Sequence, residues 1–187
     1  MQYWAHMKPT NIALGIVLTA SPHRESDIRL QILTAEGLIT ATATGAQKPT
    51  AKLKGAIQIF TIAEFEITAT RLTGARVLSS PMPLTREINR YYLACSIAEV
   101  LLHIKNHDPE VFVLTARTFQ ELTQTTTSAY KIFIDYFSQL LAILGFDIEL
   151  QIPDPLGLAV AKKLVLQINS AFIEYLDISI PCIAQFV

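Results

Sequence analysis

The apolar residues of this chain change their repeat once, near residue 80, and that change restricts the possible folds more than any other feature. From Ile12 to about Leu78 they alternate with polar residues, as in LITATAT and EFEITAT, and threonine is abundant. A period of two belongs to strands that bury one face. Turns are expected at Ser21-Pro22, Ala35-Glu36-Gly37, Lys48-Pro49 and Thr73-Gly74, which leaves room for five strands. From Arg86 onward the repeat lengthens to that of helices, first over INRYYLACSIAEVLLHI. Asp108-Pro109 places a cap acceptor before a first-turn proline and opens a helix through Leu122. Thr125 to Ser128 is a polar break. An apolar helix from about Ala129 to Leu144 stops at Gly145, and Asp154-Pro155 is expected to open a last helix toward Tyr175. The sequence therefore predicts an α+β chain with a β-domain over 1–80 and a helical domain over 84–187. Two prolines in Ser79-Ser80-Pro81-Met82-Pro83 allow neither a central strand nor a helix interior, so this segment is a hinge or an ordinary connecting loop.

Between two of the expected strands lies GAQKPTAKLKG, in which Lys48, Lys52 and Lys54 have no acidic residue among them. Lysines that cannot pair with one another face water or a polyanion. The whole-chain charge of −1 conceals an asymmetry. Residues 1–80 carry eight basic against five acidic residues, a balance of +3, whereas residues 81–187 carry seven against eleven, a balance of −4. A nucleic-acid face is thus expected on the first half alone, with affinity resting on a few clustered cations and strongly dependent on salt.

Enzyme chemistry finds little support. No G-x-S-x-G, P-loop or G-x-G-x-x-G motif occurs, and the glycines at 45 and 55 have the spacing of neither phosphate-binding motif. His103, His107 and Asp108 lack the further ligands that a metal site needs, and the histidines with Lys105 suit the negative end of a helix. Cys95 and Cys182 show no C-x-x-C spacing and are expected to be buried thiols in a reducing compartment. The chain is read as a non-enzyme without metal or cofactor. Its N-terminus MQYWAHMKPTN lacks a sustained apolar run and Tyr136 to Phe146 is too short to span a bilayer, so a cytoplasmic protein without membrane contact is expected. A content of 51% hydrophobic and 17% charged residues is enough to bury a core.

The order of these parts resembles the N-terminal OB-fold of the bacterial DNA repair protein RecO family. IALGIVLTASPHRESDIRLQILTAEGLI is similar to the family's opening: an apolar strand, a turn, a Glu-Ser-Asp step, and a second strand ending in Thr-x-Glu-Gly. Gly74 to Pro83 would close the five-stranded barrel, and the tyrosine-bearing helix follows where the family's helical domain begins. The resemblance implies a recombination mediator in DNA repair. Such a protein binds single- and double-stranded DNA, anneals strands, and assists recombinase loading with RecR and the single-stranded DNA-binding protein. Lys48, Lys52 and Lys54 would contact DNA, with Arg24, Arg29, Arg71 and Arg76 in support. Some members carry a four-cysteine zinc module after a Leu-Gly-Tyr or Leu-Gly-Phe motif; here Leu144-Gly145-Phe146 is followed by no cysteine in DIELQIPDPLGLAV, which implies a short, zinc-free member. In the family the helical domain receives the acidic, apolar C-terminal tail of the single-stranded DNA-binding protein. The available cations are Arg86, Arg90, Arg117, Lys131, Lys162 and Lys163, with Arg117 and Lys131 as the partner site and an internal pair between Arg117 and Glu121 as the competing role. The alternative is a barrel-plus-helices protein-interaction module without DNA binding.

Overall fold

A computed structural model describes residues 10–48, 50–80, 87–104, 108–124 and 127–186. It divides into two compact units, the first reaching Ser80 except for Ala35–Gly37, which group with the second. Pro81, Met82 and Pro83, on which the hinge expectation rests, lie outside the described residues, as do Arg86, Lys105, His107, Thr125 and Thr126.

The first unit is an OB-fold: β1 (Thr10–His23), β2 (Asp27–Thr34), β3 (Gly37–Ala43), β4 (Ile62–Thr68) and β5 (Arg71–Ser79) close a barrel in the order β1-β2-β3-β5-β4. β1 is long enough to serve two neighbours. It pairs antiparallel with β2 from Gly15↔Thr34 to His23↔Asp27 and with β4 from Thr10↔Thr68 to Ile16↔Ile62, turning between them at an irregularity at Val17/Thr19. Closure comes from one parallel contact, Thr42 opposite Arg71, where the Thr42 N–H donates to Thr70 O at 2.7 Å. The alternating apolar positions converge inside. Val17, Leu30, Ile32, Ala41, Ala43, Ala63, Phe65, Ile67 and Leu72 form the barrel core.

Two turns differ from the sequence expectation. The Ser21-Pro22 turn is strand: Pro22 lies opposite Ile28 near the end of β1, where the missing N–H costs little, and the chain reverses over residues 24–26, where Arg24 takes a φ of 55°. The Thr73-Gly74 turn is also strand. Gly74 faces Glu66 at a register shift between β4 and β5, and an isolated glycine suits such a bulge. The reversal falls instead at Ala69-Thr70, and Arg71 opens β5.

The second unit contains α1 (Ile88–His103), α2 (Pro109–Gln124), α3 (Ala129–Ile143) and α4 (Leu158–Leu176), followed by a short 3-10 turn at Ile183–Gln185. Two expected boundaries have the anticipated chemistry. The Asp108 Oδ1 accepts the Glu110 N–H at 2.9 Å at the start of α2, and Gly145 ends α3 with a φ of 90° while Phe146 N–H returns to Leu141 O at 2.9 Å. The last helix begins later than Asp154-Pro155. Gly157 is still extended, and its carbonyl is the first to accept a helical bond, from Ala161 at 2.9 Å. Aromatic rings fill the centre: Phe133 lies 4.6 Å from Phe137 and 5.1 Å from Phe186, and Phe137 lies 5.4 Å from Phe172. Among the described residues no helix is long and apolar enough to cross a membrane.

Arg90 is not an available surface cation. It is 6% exposed, and its Nη1 donates to Leu122 O at 3.0 Å and its Nη2 to Thr127 O at 2.8 Å, while its Nε meets the Glu87 carboxylate at 2.6 Å. A guanidinium, with five N–H donors in a fixed fork, can satisfy several orphan carbonyls of a helix end at once. Arg90 therefore closes the C-terminal end of α2.

Candidate functional site

The lysine-bearing connection from Thr44 to Thr61 is neither strand nor free loop. Successive reversals hold it: Lys48 N–H to Gly45 O at 3.2 Å, Ala51 to Lys48 at 3.0 Å, Lys54 to Ala51 at 3.3 Å, and Ala56 to Leu53 at 2.9 Å. Its apolar residues Ala46 and Ile57 belong to the barrel core, and Leu53 packs against that core. Lys48, Lys52 and Lys54 stay exposed. The alternation that the sequence places on strands thus continues through the connection, with Leu53 inward between two outward lysines.

Two further contacts bring other segments to the same end of the barrel. Ser26 O accepts the Gln47 N–H at 3.0 Å, which sets the β1–β2 turn carrying Arg24 beside the residue preceding Lys48. Opposite, residues Thr44 to Ala46 and Ala51 to Leu53 form a groove of about 350 Å³ with Arg71, Leu72 and Thr73 of β5. Lys52 and Arg71 line this groove from its two sides. Neither they nor Lys48, Lys54, Arg24 or Arg29 forms an ion pair with a described residue, so their charge is uncompensated locally. Arg29 projects from β2, opposite Ser21 of β1.

Arg76 differs. It reaches across to Glu64 of β4 with 2.8 Å and 2.7 Å contacts, so a cation that the sequence groups with the others is already matched by an acid on the neighbouring strand. Both aromatic rings of residues 10–80, Phe60 and Phe65, are buried, so this end of the barrel offers charge without a described stacking platform.

A residue that sequence reasoning passed over holds the arrangement. Asp27, 9% exposed at the start of β2, accepts the Gly45 N–H at 2.9 Å through Oδ1, and its carbonyl accepts Gln47 Nε2 at 2.8 Å. No local signal marks it, because its partners lie 18 and 20 residues away.

The helical unit has its own groove. Pro109, Glu110, Val113, Leu114 and Arg117 of α2 face Gln139 and Ile143 of α3 around about 340 Å³. Val113 is 64% exposed there, a large apolar side chain left in water. Arg117 Nη2 donates to Gln139 Oε1 at 2.7 Å, and its contact with Glu121 is a loose 4.0 Å with both side chains about half exposed. Such an exposed pair contributes little. Lys131 does not line the groove, yet it shares a neighbour with Arg117: the half-buried Asp135, whose carboxyl burial pushes up while Lys131 and Arg117 pull it down. Lys162 is half-buried and Lys163 exposed on α4, away from the residues lining this groove. Among the described residues no group of His, Cys, Asp and Glu could hold a metal ion; His103 Nδ1 instead meets Glu99 O at 2.8 Å.

Residues 7–80 match the family model described as recombination protein O, N terminal. The chain is 31% identical over 149 residues to the DNA repair protein RecO of Synechococcus elongatus, covering 75% of this chain and 56% of that protein. Against the DNA repair protein RecO of Gloeothece citriformis identity is 30% over 149 residues, covering 74% and 53%. Against that of Desulforudis audaxviator it is 29% over 144 residues, covering 73% and 57%. The chain spans about half the length of the curated relatives it matches.

Proposed function

This chain belongs to the RecO family, and from that membership we propose that it acts as a recombination mediator in DNA repair. In this reading it binds single- and double-stranded DNA, anneals complementary strands, and assists recombinase loading with RecR and the single-stranded DNA-binding protein. The observation that carries the DNA reading is the groove between Lys52 and Arg71, with Lys48, Lys54 and Arg24 at the same end of the barrel, none of them paired with a described acid. OB-folds bind oligonucleotides on their β2–β3 face and connecting loops, and Arg29 lies on β2. Buried phenylalanines leave little base stacking, so phosphate contacts dominate and sequence preference is weak.

The test is single-stranded DNA binding at several salt concentrations by the wild type and by a variant with Lys48, Lys52 and Lys54 all changed to Ala. Loss of three phosphate contacts flattens the slope of log affinity against log salt by up to about 2, at roughly 0.7 per charge for single strands. An unchanged slope refutes the assignment, and absence of binding by the wild type favours the protein-interaction module instead.

The partner reading rests on the α2–α3 groove. An apolar trough with Arg117 at its edge suits the acidic, apolar C-terminal tail of the single-stranded DNA-binding protein, because a guanidinium can hold a carboxylate with two parallel hydrogen bonds. Arg117→Glu is expected to weaken binding of a tail peptide from the same organism about tenfold or more while the fold is kept. Equal binding by wild type and variant places the tail elsewhere.

A further inference from the structure

Asp27 carries a negative charge at the end of the barrel where the cations gather, and simple electrostatics makes it an obstacle to a polyanion. Its geometry argues the opposite. The carboxylate is buried and spent on the Gly45 N–H, at the point where the chain leaves β3 and Gly45 takes a φ of 66°. That left-handed step turns the chain toward Ala46, and the next residue, Gln47, is held twice, by Ser26 O through its N–H and by Asp27 O through its side chain. Lys48 follows directly. The entry to the lysine-bearing connection is thus clamped to the β1–β2 turn by three hydrogen bonds, two of which end on Asp27. A flexible entry would have to be ordered at the expense of binding.

We propose that Asp27 is a positioning residue for DNA, an acid that strengthens polyanion binding by fixing the entry to the lysine-bearing connection. The inference rests on the DNA reading of that connection. Charge and positioning predict opposite signs. Asp27→Ala and Asp27→Asn remove the same charge, but only asparagine keeps an oxygen that can accept the Gly45 N–H. Positioning predicts that Asp27→Asn binds single-stranded DNA at least as tightly as wild type. Asp27→Ala binds about fivefold more weakly despite its more favourable charge, the loss of roughly one hydrogen bond's worth of order. Gln47→Ala, which changes no charge, weakens binding in the same direction.

The clamp is also read without DNA. Limited trypsin digestion at Lys52 and Lys54, the lysines of the connection not followed by proline, should accelerate in Asp27→Ala and Gln47→Ala and stay at the wild-type rate in Asp27→Asn. Equal tightening of DNA binding by Asp27→Ala and Asp27→Asn overturns the proposal, as does an unchanged trypsin rate in Asp27→Ala. The variant lacking all three lysines, run alongside, separates the two ideas. If it binds as wild type does, the DNA reading itself fails and the positioning role falls with it. If it binds weakly while the two Asp27 variants behave alike, positioning alone is refuted.

Discussion

Changing Arg90 to Met removes the group that closes the C-terminal end of α2 while keeping a long, buried side chain. Two contacts decide the magnitude, those to Leu122 O at 3.0 Å and Thr127 O at 2.8 Å; the 3.4 Å approach to Glu121 O is marginal. Hydrogen bonds from a charged donor contribute about 1.5–3 kcal/mol each, so their loss costs roughly 3–6 kcal/mol. The Glu87 pair adds little, because that carboxylate is 66% exposed. Methionine returns about 1–2 kcal/mol through apolar burial, which leaves a net loss of about 2–4 kcal/mol. For a unit of this size that lowers the melting temperature of the helical transition by on the order of 10–20 °C. Far-ultraviolet circular dichroism during thermal unfolding measures it, and Arg90→Lys should recover only part, since an ammonium cannot span the same carbonyls. DNA binding by the barrel should be unaffected in the cold. A melting curve for Arg90→Met within about 2 °C of wild type would refute the capping role.

Three other outcomes are expected. Gly15→Ala should destabilise the barrel by about 1–3 kcal/mol in denaturant unfolding, because a Cβ there collides with Ile32 Cγ2 and stands 3.1 Å from Leu33 O. Tyr136 is fully buried with its hydroxyl 3.0 Å from Thr115 Oγ1, and burial pushes its phenol well above the usual value of about 10. A raised folded pKa means that its contribution is complete below about pH 10 and is lost as pH rises toward the folded value, so wild-type stability should fall at alkaline pH more steeply than that of Tyr136→Phe in parallel urea titrations. Arg71→Ala should weaken single-stranded DNA binding more than Arg76→Ala, since Arg76 is already matched by Glu64; equal losses in an anisotropy titration would count against the groove.

Much of the architecture is written locally. A strand or helix declares itself through the spacing of its apolar residues, and a helix end through chemistry within a few positions, so the period of two before residue 80, the Asp108-Pro109 start and the Gly145 stop were all legible. The lysines of the Thr44–Thr61 connection were legible too, because no acid lies near them in sequence. What could not be read is whatever depends on residues distant in the chain. Arg90 looked like a surface cation until Leu122 and Thr127 came to meet it, more than thirty residues on. Arg76 looked equivalent to Arg71 until pairing of β4 with β5 set Glu64 beside it. Pro22 and Gly74 read as turns because those residue types favour turns, yet strand pairing and a bulge absorb both. Asp27 read as one more acid, although folding sets it under Gly45 and joins two loops through it. A charge has the same sequence signature whether it is solvated, paired or buried. Only the tertiary structure supplies the neighbours, and the neighbours decide whether that charge serves a ligand or the fold.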